Sequence, residues 1–376
     1  MDTINRAYLR YARYAVQWGI FLFLLYAGYR FFFFVEHFFA QGTVLQGTEE
    51  AVLMSRFPSV EGFLPIGALM ALKLWVTRGT FDSIHPAALV TFIAALISAL
   101  TLKKSFCGWI CPVGSLSDGV WKLGKRIFGK NAVIPRCADN ILRSVKYALL
   151  AFFIYIVVLK MPSFAIMRFL EGDYYKIADV KMLLFFIEMT TTTAVSLSLL
   201  FVLSLFYKNF WCRYLCPYGA LLGLISFFSP LKITRNNAAC IHCGTCTKNC
   251  PSLLPVERLT NVRSPECTGC LTCVSHCPAK GALDVSLAGK NTVNPVFAAF
   301  LIIVLFFGSI GIAKLTNNWY SAVTYEDYQL IIPQTAHLDH LALRYPSPVF
   351  FIPMARNHTI EETIMNHPQT LSVAAM

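Results

Sequence analysis

The sequence predicts an α-helical integral membrane protein that carries one small α+β module rich in cysteine. Two observations lead to this prediction. Of the 376 residues, 56% are hydrophobic and only 14% are charged, whereas soluble domains usually carry about a quarter charged residues. In addition, all but one of the 13 cysteines fall into four short motifs rather than being scattered along the chain.

Five apolar segments are candidates to cross a bilayer, and two of them each precede a cysteine motif. The five segments are Tyr14–Phe34, Ala87–Leu102, Tyr147–Leu159, Leu183–Phe206 and Val296–Ala313. The first follows three arginines and lacks the small-residue cleavage site of a signal peptide, so we interpret it as a retained anchor. A sixth segment, Phe63–Val76, is short and interrupted by Pro65 and Gly67, which favours a re-entrant or interfacial helix.

The distribution of charge predicts the topology. With five spans, the side that holds the N-terminus and all the cysteine motifs has 21 Lys or Arg against 6 Asp or Glu, and the other side has 9 against 13. Basic loops stay in the cytoplasm of a bacterial inner membrane. We therefore expect a membrane domain over residues 1–230, a cytoplasmic module over 231–290, a final transmembrane helix over 291–313 and a periplasmic tail over 314–376. The net charge of +12 lies in loops and forms no basic stripe, so nucleic acid is not an expected partner.

Two copies of the pattern C-x2-C-x2-C-x3-C-P lie in the module, the first from Cys240 to Cys250 and the second from Cys267 to Cys277. In this bacterial pattern, three close cysteines hold one [4Fe–4S] cluster and the fourth holds the other cluster. The predicted ligands of the first cluster are Cys240, Cys243, Cys246 and Cys277. The predicted ligands of the second cluster are Cys267, Cys270, Cys273 and Cys250. The pattern indicates a bacterial-type two-cluster ferredoxin module, and the doubled spacing disfavours the alternative of two zinc sites.

A second pair of motifs reads aromatic-Cys-x3-Cys-Pro-x-Gly, with Cys107 and Cys111 in the first copy and Cys212 and Cys216 in the second. Residues four apart share one face of a helix, and the proline suits the first turn of a new helix. The repeat predicts that four thiols converge beneath the membrane as a metal or cluster site or as redox-active dithiols. Tight packing is the alternative. Cys137 stands alone, and we interpret it as an ordinary small side chain.

The two CxxxCP motifs followed by the tandem ferredoxin motifs resemble the NapH/NosR-type membrane polyferredoxins, over roughly residues 14–313. The resemblance implies an accessory protein of anaerobic respiration that takes electrons from quinol and delivers them to redox partner proteins. By this resemblance, the four CxxxCP cysteines and the eight later cysteines are the motif cysteines of the family. The fifth span and the tail are additions to a NapH-like core.

We therefore expect a membrane electron-transfer protein, and a candidate quinol dehydrogenase subunit, that connects the quinone pool with redox partners. Quinol oxidation needs proton acceptors, for which the candidates are Glu188 within the fourth span, His85 at the mouth of the second, and Lys73. Their alternative roles are structural: Glu188 pairs with Lys73 or the nearby threonines, and His85 caps its helix. The alternative functions are a copper reductase for oxidase assembly, with copper at the CxxxCP cysteines, and a membrane redox regulator.

Overall fold

A computed structural model of the chain describes residues 3–40, 56–287 and 291–337. These residues are mostly helical and contain one small antiparallel sheet. The helices before the sheet are α1 (Thr3–Ala40), α2 (Pro65–Arg78), α3 (Pro86–Leu102), α4 (Ser105–Trp109), α5 (Pro112–Phe128), α6 (Arg136–Ile154), α7 (Ser163–Leu170), α8 (Asp173–Lys176), α9 (Ala178–Ile187), α10 (Thr191–Phe206) and α11 (Pro217–Ile225). Several begin with proline, whose fixed φ and missing N–H suit the first helical position.

Three helical stretches are long and apolar enough to cross a membrane: Ala7–Phe39, Arg136–Lys160 and Pro295–Leu315. They contain the first, third and fifth predicted spans. The second of these stretches includes α6 and a π-helical continuation over Tyr155–Lys160. Helix α2, which has 14 residues, covers most of the segment expected to be re-entrant or interfacial.

Helix α3 contains the second predicted span and lies at the centre of the helical region, where it contacts α2, α11 and the final long helix. It has 17 residues, which is about 26 Å at 1.5 Å per residue. Ala87, Ala95 and Ala99 are fully buried along it, because small side chains allow neighbouring helices to approach closely.

The fourth predicted span is two helices rather than one. Helices α9 and α10 meet at an angle of 79°, with Glu188, Met189 and Thr190 between them. The hydroxyl of Thr190 accepts a hydrogen bond from the backbone N–H of Thr193 at 3.3 Å and so caps α10. Threonine favours such caps over helix interiors, which explains why the expected single helix over Leu183–Phe206 is interrupted here.

The sheet consists of β1 (Leu231–Arg235), β2 (Asn261–Val262), β3 (Leu283–Leu287) and β4 (Asn291–Val293), in the order β2-β1-β3-β4 and antiparallel throughout. The two short helices α12 (Thr245–Lys248) and α13 (Thr272–Ser275) each carry the third cysteine of a ferredoxin motif. Strand β4 occupies the start of the segment expected to be the final helix. That helix, α14, runs over Pro295–Leu315, and the side chain of Asn294 caps it.

The segment after α14 packs against the end of α1 that is distant from the sheet. It forms α15 (Tyr325–Ile331) and a 3-10 turn over Ile332–His337. Tyr328 lies 5.4 Å from Phe34, measured between ring centroids, and both side chains are buried. The rest of the expected tail, residues 338–376, lies outside the described residues.

Candidate metal centres

The eight cysteines of the ferredoxin motifs line two separate cavities. The proximal cavity, named for its contact with the helical region, is lined by Cys250, Cys267, Cys270 and Cys273. The distal cavity is lined by Cys240, Cys243, Cys246 and Cys277. In each cavity the fourth cysteine comes from the other motif, as the two-cluster pattern requires. The structure thus brings together the two sets of four that the spacing predicts.

The backbone of the two motifs repeats as well as the sequence. His242 and Gly269 occupy the same position in the two copies and both have positive φ, at 53° and 57°. The next equivalent pair, Gly244 and Leu271, is also left-handed, at 70° and 56°. Such left-handed residues let consecutive backbone N–H groups turn toward one side, which forms a concave anion-binding surface. Cluster sulfur is anionic, so this backbone suits the predicted clusters.

The arrangement of the thiols fits clusters better than single ions. Within the ranges that the structure describes, no three His, Cys, Asp or Glu side chains lie close enough together to hold one metal ion. A zinc site would need that convergence, whereas each thiolate of a [4Fe–4S] cluster binds a different iron atom. Copper at the four CxxxCP cysteines stays a prediction.

The two cavities differ in exposure. All four cysteines of the proximal cavity are buried, whereas Cys243 of the distal cavity is exposed. Burial raises the pKa of Cys250 to about 12, while hydrogen bonds from Thr245 lower the pKa of Cys243. Buried thiolates therefore need a compensating positive charge in the proximal cavity, which the iron of a cluster supplies when bound.

A buried lysine also supports an anionic occupant of the proximal cavity. The ammonium group of Lys103 has no hydrogen-bond partner in the described part of the chain, although the residue is only 2% exposed. Its electrostatic attraction to Cys267 opposes the burial that lowers its pKa. A buried, unpaired ammonium group is costly, and negative charge on Cys267 and a bound cluster explains its position.

The segment that carries the first CxxxCP motif, Cys107–Pro112, packs directly against the proximal cavity; we call it the first CxxxCP loop. The indole Nε1 of Trp109 donates a hydrogen bond to the carbonyl oxygen of Gly269 at 3.1 Å. A Cβ atom at Gly108 would lie 2.7 Å from the carbonyl oxygen of Thr268 and 3.2 Å from the Cβ of Cys270. Glycine at position 108 therefore permits an approach that any other residue would block.

Helix α1 fixes this contact from the other side. The guanidinium Nε of Arg13 donates to the carbonyl oxygen of Gly108 at 3.1 Å, and its Nη1 donates to Thr272 Oγ1 at 2.7 Å. Gln17 donates to the same Gly108 oxygen at 3.1 Å. Arg13 thus joins the first CxxxCP loop to α13, the helix that carries Cys273.

The second CxxxCP loop comprises the second motif, Cys212–Pro217, and the residues just before it. It contacts the segment after Cys250, and Cys250 is the fourth cysteine of the proximal cavity. Asn209 donates to the carbonyl oxygen of Pro251 at 3.3 Å, and Arg213 donates to that of Ser252 at 2.5 Å. Arg213 is itself held by Asp139, with an Nη2–Oδ2 distance of 2.8 Å. Both repeats therefore support the same cavity.

An ion pair joins the third candidate span to the start of the second ferredoxin motif. The ammonium group of Lys146 lies 2.6 and 2.8 Å from the two carboxylate oxygens of Glu266, and the Tyr147 hydroxyl donates to Glu266 at 3.0 Å. Glu266 immediately precedes Cys267. No local sequence pattern signals this pair, because its members are 120 positions apart.

The four CxxxCP cysteines come together where the two repeats meet. Each thiol interacts electrostatically with the other three, and all four are partly buried. Lys104 of the first repeat donates to the carbonyl oxygen of Gly219 of the second at 3.2 Å. The predicted convergence of the four residues is therefore present, whereas Cys137 is exposed.

His85 lies at the opposite end of α3, inside a network that the sequence did not reveal. It is fully buried, and its Nε2 is 2.7 Å from the carbonyl oxygen of Tyr175. Its Nδ1 lies 3.6 Å from Glu61, and Arg56 bridges Glu61 at 2.8 Å and Asp179 at 2.7 Å. His85 does not cap α3 with its side chain, because Glu61 instead accepts the N–H of Ala87 at 3.0 Å.

Glu188 and Lys73 do not join this network. Glu188 is exposed at the end of α9. The ammonium group of Lys73 donates to three carbonyl oxygens where the π-helical segment ends, those of Val157, Val158 and Met161 at 3.1, 2.9 and 2.5 Å. The suggested Glu188–Lys73 pair is therefore not formed in the described structure.

Comparisons with known proteins agree with this organisation. A family profile described as "4Fe-4S binding domain" matches residues 84–131 and again 189–236, and one described as "4Fe-4S dicluster domain" matches residues 232–278. The chain is 42% identical over 322 residues to the "Putative electron transport protein YccM" of Escherichia coli (strain K12), covering 84% of this chain and 88% of that protein.

Two more distant relatives are named as a ferredoxin-type protein and a regulatory protein. The chain is 29% identical over 185 residues to the "Ferredoxin-type protein NapH" of Haemophilus influenzae, covering 47% of this chain and 58% of NapH. It is 29% identical over 162 residues to the "Regulatory protein NosR" of Pseudomonas aeruginosa, covering 43% of this chain and 22% of NosR. No solved structure gives a significant match.

Proposed function

The chain belongs to the NapH/NosR-type polyferredoxins, and we propose that it relays single electrons between the membrane quinone pool and a redox partner protein. In this proposal, Cys250, Cys267, Cys270 and Cys273 hold a proximal [4Fe–4S] cluster. Cys240, Cys243, Cys246 and Cys277 hold a distal one. The clusters lie on the cytoplasmic side of a bacterial inner membrane, and anaerobic respiration is the proposed setting.

One observation carries the proposal: the two cavities stand in sequence between the apolar helices and solvent. Both CxxxCP loops contact the walls of the proximal cavity, through Gly108 and Arg213. The distal cavity opens at Cys243, beside Ile241, which is 64% exposed. This order suits sequential electron transfer. Electrons would pass between the helical region and the proximal cluster, then between the two clusters, and then between the distal cluster and the partner protein.

The quinone contact is best sought at the cysteine end of α3. His85 precedes the first residue of α3 and Cys107 lies five residues beyond its last, Leu102, so the length of α3, about 26 Å, separates them. Electrons from a quinol beside His85 would have to cross that apolar distance. Because Arg56, Glu61 and Asp179 satisfy one another around His85, we assign this network a structural role and expect the quinol near the four CxxxCP thiols.

The test is reduction of the clusters by a quinol analogue. The full chain, purified without oxygen and reconstituted in vesicles, should develop the EPR signals of reduced clusters when the analogue is added. Clusters that dithionite reduces and the quinol does not would contradict the quinone proposal while leaving the cluster assignment intact.

Matched variants separate the candidate proton acceptors. Glu188→Gln should leave the rate of quinol-dependent reduction unchanged, because Glu188 is exposed and outside the buried network. His85→Gln should lower the melting temperature, because it removes a fully buried ring from that network, with little effect on the rate in folded protein. A tenfold slower rate in Glu188→Gln would return Glu188 to the mechanism.

The relative named "Regulatory protein NosR" supports a second candidate, a membrane regulator whose clusters sense redox state. The two functions differ when electron transfer is blocked but both clusters remain. A regulator would still support normal partner activity, whereas a relay would not.

A further inference from the structure

The four CxxxCP thiols have no part in either ferredoxin cavity, yet they occupy a built site. Phe106, which precedes Cys107, and Tyr218, which follows Pro217, lie 5.9 Å apart between ring centroids. The Lys104–Gly219 hydrogen bond closes the same junction. The two repeats thus meet at their cysteines, although the motifs are about a hundred residues apart in the sequence.

The second cysteine of each repeat sits at the N-terminus of a helix. Cys111 is the N-cap of α5, which has 17 residues, and Cys216 is the N-cap of α11, which has nine. The backbone N–H of Gly219 donates to the Cys216 sulfur at 3.2 Å, and the N–H groups of Val113 and Gly114 face the Cys111 sulfur in the same way. Backbone N–H groups at both helix N-termini therefore donate to these sulfurs, and helix N-termini favour anionic groups.

Glycine occupies the same position of each repeat, but only Gly114 lies where a larger residue would clash. A Cβ at Gly114 would lie 2.5 Å from the carbonyl oxygen of Cys107. A Cβ at Gly219 would lie 3.5 Å from the sulfur of Cys216. Gly114 thus brings the first turn of α5 close to Cys107, whereas Gly219 lies at ordinary contact distance from Cys216.

The four CxxxCP thiols resemble the four proximal thiols in their mutual interactions and in the positive charge near them. In both sets every thiol interacts electrostatically with the other three, and neither set converges on a single-ion point within the described residues. Lysines lie near both: Lys104 and Lys146 near the CxxxCP thiols, and Lys103 near Cys267. Positive charge compensates for an anionic cluster with four thiolate ligands.

We propose that Cys107, Cys111, Cys212 and Cys216 together hold a third iron–sulfur cluster, of the [4Fe–4S] type, between the membrane helices and the proximal cluster. The proposal goes beyond the two-cluster relay and does not depend on quinol as the electron source. The "4Fe-4S binding domain" profile, which matches both repeats, agrees with it. The third cluster accepts one electron and passes one electron to the proximal cluster, and no covalent bond forms or breaks.

The site belongs to both repeats jointly, and this makes a sharp test. The full-length protein, purified without oxygen, should contain about twelve irons and about twelve acid-labile sulfides per chain, because each cubane holds four of each. Cys107→Ser and Cys216→Ser should each lose about four irons, although the two changes lie in different repeats. Cys137→Ser, at an exposed cysteine, should lose none.

The ferredoxin module supplies the internal control. In both ligand variants, the EPR signals of the proximal and distal clusters should persist, which shows that the chain has folded.

About eight irons in the unmodified protein would overturn the proposal. About ten irons would overturn the [4Fe–4S] type in favour of a two-iron cluster. Losses that differ between Cys107→Ser and Cys216→Ser would overturn the shared site. None of these results depends on quinol activity, so failure of the relay proposal is seen separately.

Discussion

The proximal and distal cavities come from one repeated motif, yet their surroundings differ. Their backbones share left-handed residues at equivalent positions, such as Gly269 and His242. The proximal cavity is buried beneath two loops of the helical region, with Lys103 and Lys146 nearby. The distal cavity has Cys243 at the surface and Ile241 exposed beside it.

The difference shows how a symmetric pair of binding sites acquires a direction. The ligand pattern supplies two sites of the same chemistry, and the packing of the module gives each a different neighbour. Solvent exposure, nearby charge and hydrogen bonds to sulfur set the reduction potential of an iron–sulfur cluster. Unequal surroundings therefore give the two proposed clusters different potentials and different access to a partner.

Loss of one cluster should have the largest effect, and the effect should depend on which cluster is lost. Cys270→Ser should abolish reduction of the distal cluster by membrane-derived electrons, because the proximal cluster lies between. Cys243→Ser should leave the proximal cluster reducible and abolish only delivery to the partner. EPR of the remaining cluster in each variant tests this order. Equal reduction of the remaining cluster in both variants would mean that the two clusters do not act in series.

Gly108→Ala should separate the helical region from the proximal cavity. The added methyl group would meet the Thr268 carbonyl oxygen at 2.7 Å, and overpacking of this kind costs about 1–3 kcal/mol. We expect a lower melting temperature and a slower electron transfer into the proximal cluster. Gly28→Ala is the matched control, because no atom lies within 4 Å of a Cβ added to Gly28 in α1. An unchanged transfer rate in Gly108→Ala would contradict the importance of this contact.

Lys103→Met should lower the reduction potential of the proximal cluster and leave the distal one unchanged. Reduction adds a negative charge, which the nearby ammonium group stabilises, so its removal favours the oxidised form. The expected shift is on the order of tens of millivolts for a unit charge at partly screened distance. A redox titration followed by EPR reads both clusters in one sample. Equal shifts of the two clusters would show that Lys103 does not distinguish them.

Ile241→Asp should have the smallest effect, limited to the partner. The side chain is exposed, so the cluster content and potentials should stay unchanged. An apolar residue beside an exposed cluster ligand suits a protein contact. A charge there should slow reduction of the partner protein several-fold. The matched control is Phe228→Asp, at an exposed apolar position outside the distal cavity. Equal loss in both variants would indicate a general effect of surface charge.

The sequence by itself determined the local chemistry of this protein. Cysteine spacing within a loop of a dozen residues limits which thiols can share a cluster, and so it predicted the members of both cavities. Hydrophobic length predicted five spans, three of which lie in helices long and apolar enough to cross a membrane. The Thr190 cap is a local signal that explains the break between α9 and α10.

Only the tertiary structure decided which site is buried and which charged groups meet. Lys146 and Glu266 are 120 positions apart, and Arg56 and Asp179 are 123 apart, so no local pattern relates either pair. Exposure of Glu188 at the end of α9 likewise follows from packing, and its role in quinol oxidation stays a prediction that Glu188→Gln tests. Ligand spacing is a short-range property of the chain, whereas burial and ion pairing depend on segments that meet only in the folded protein.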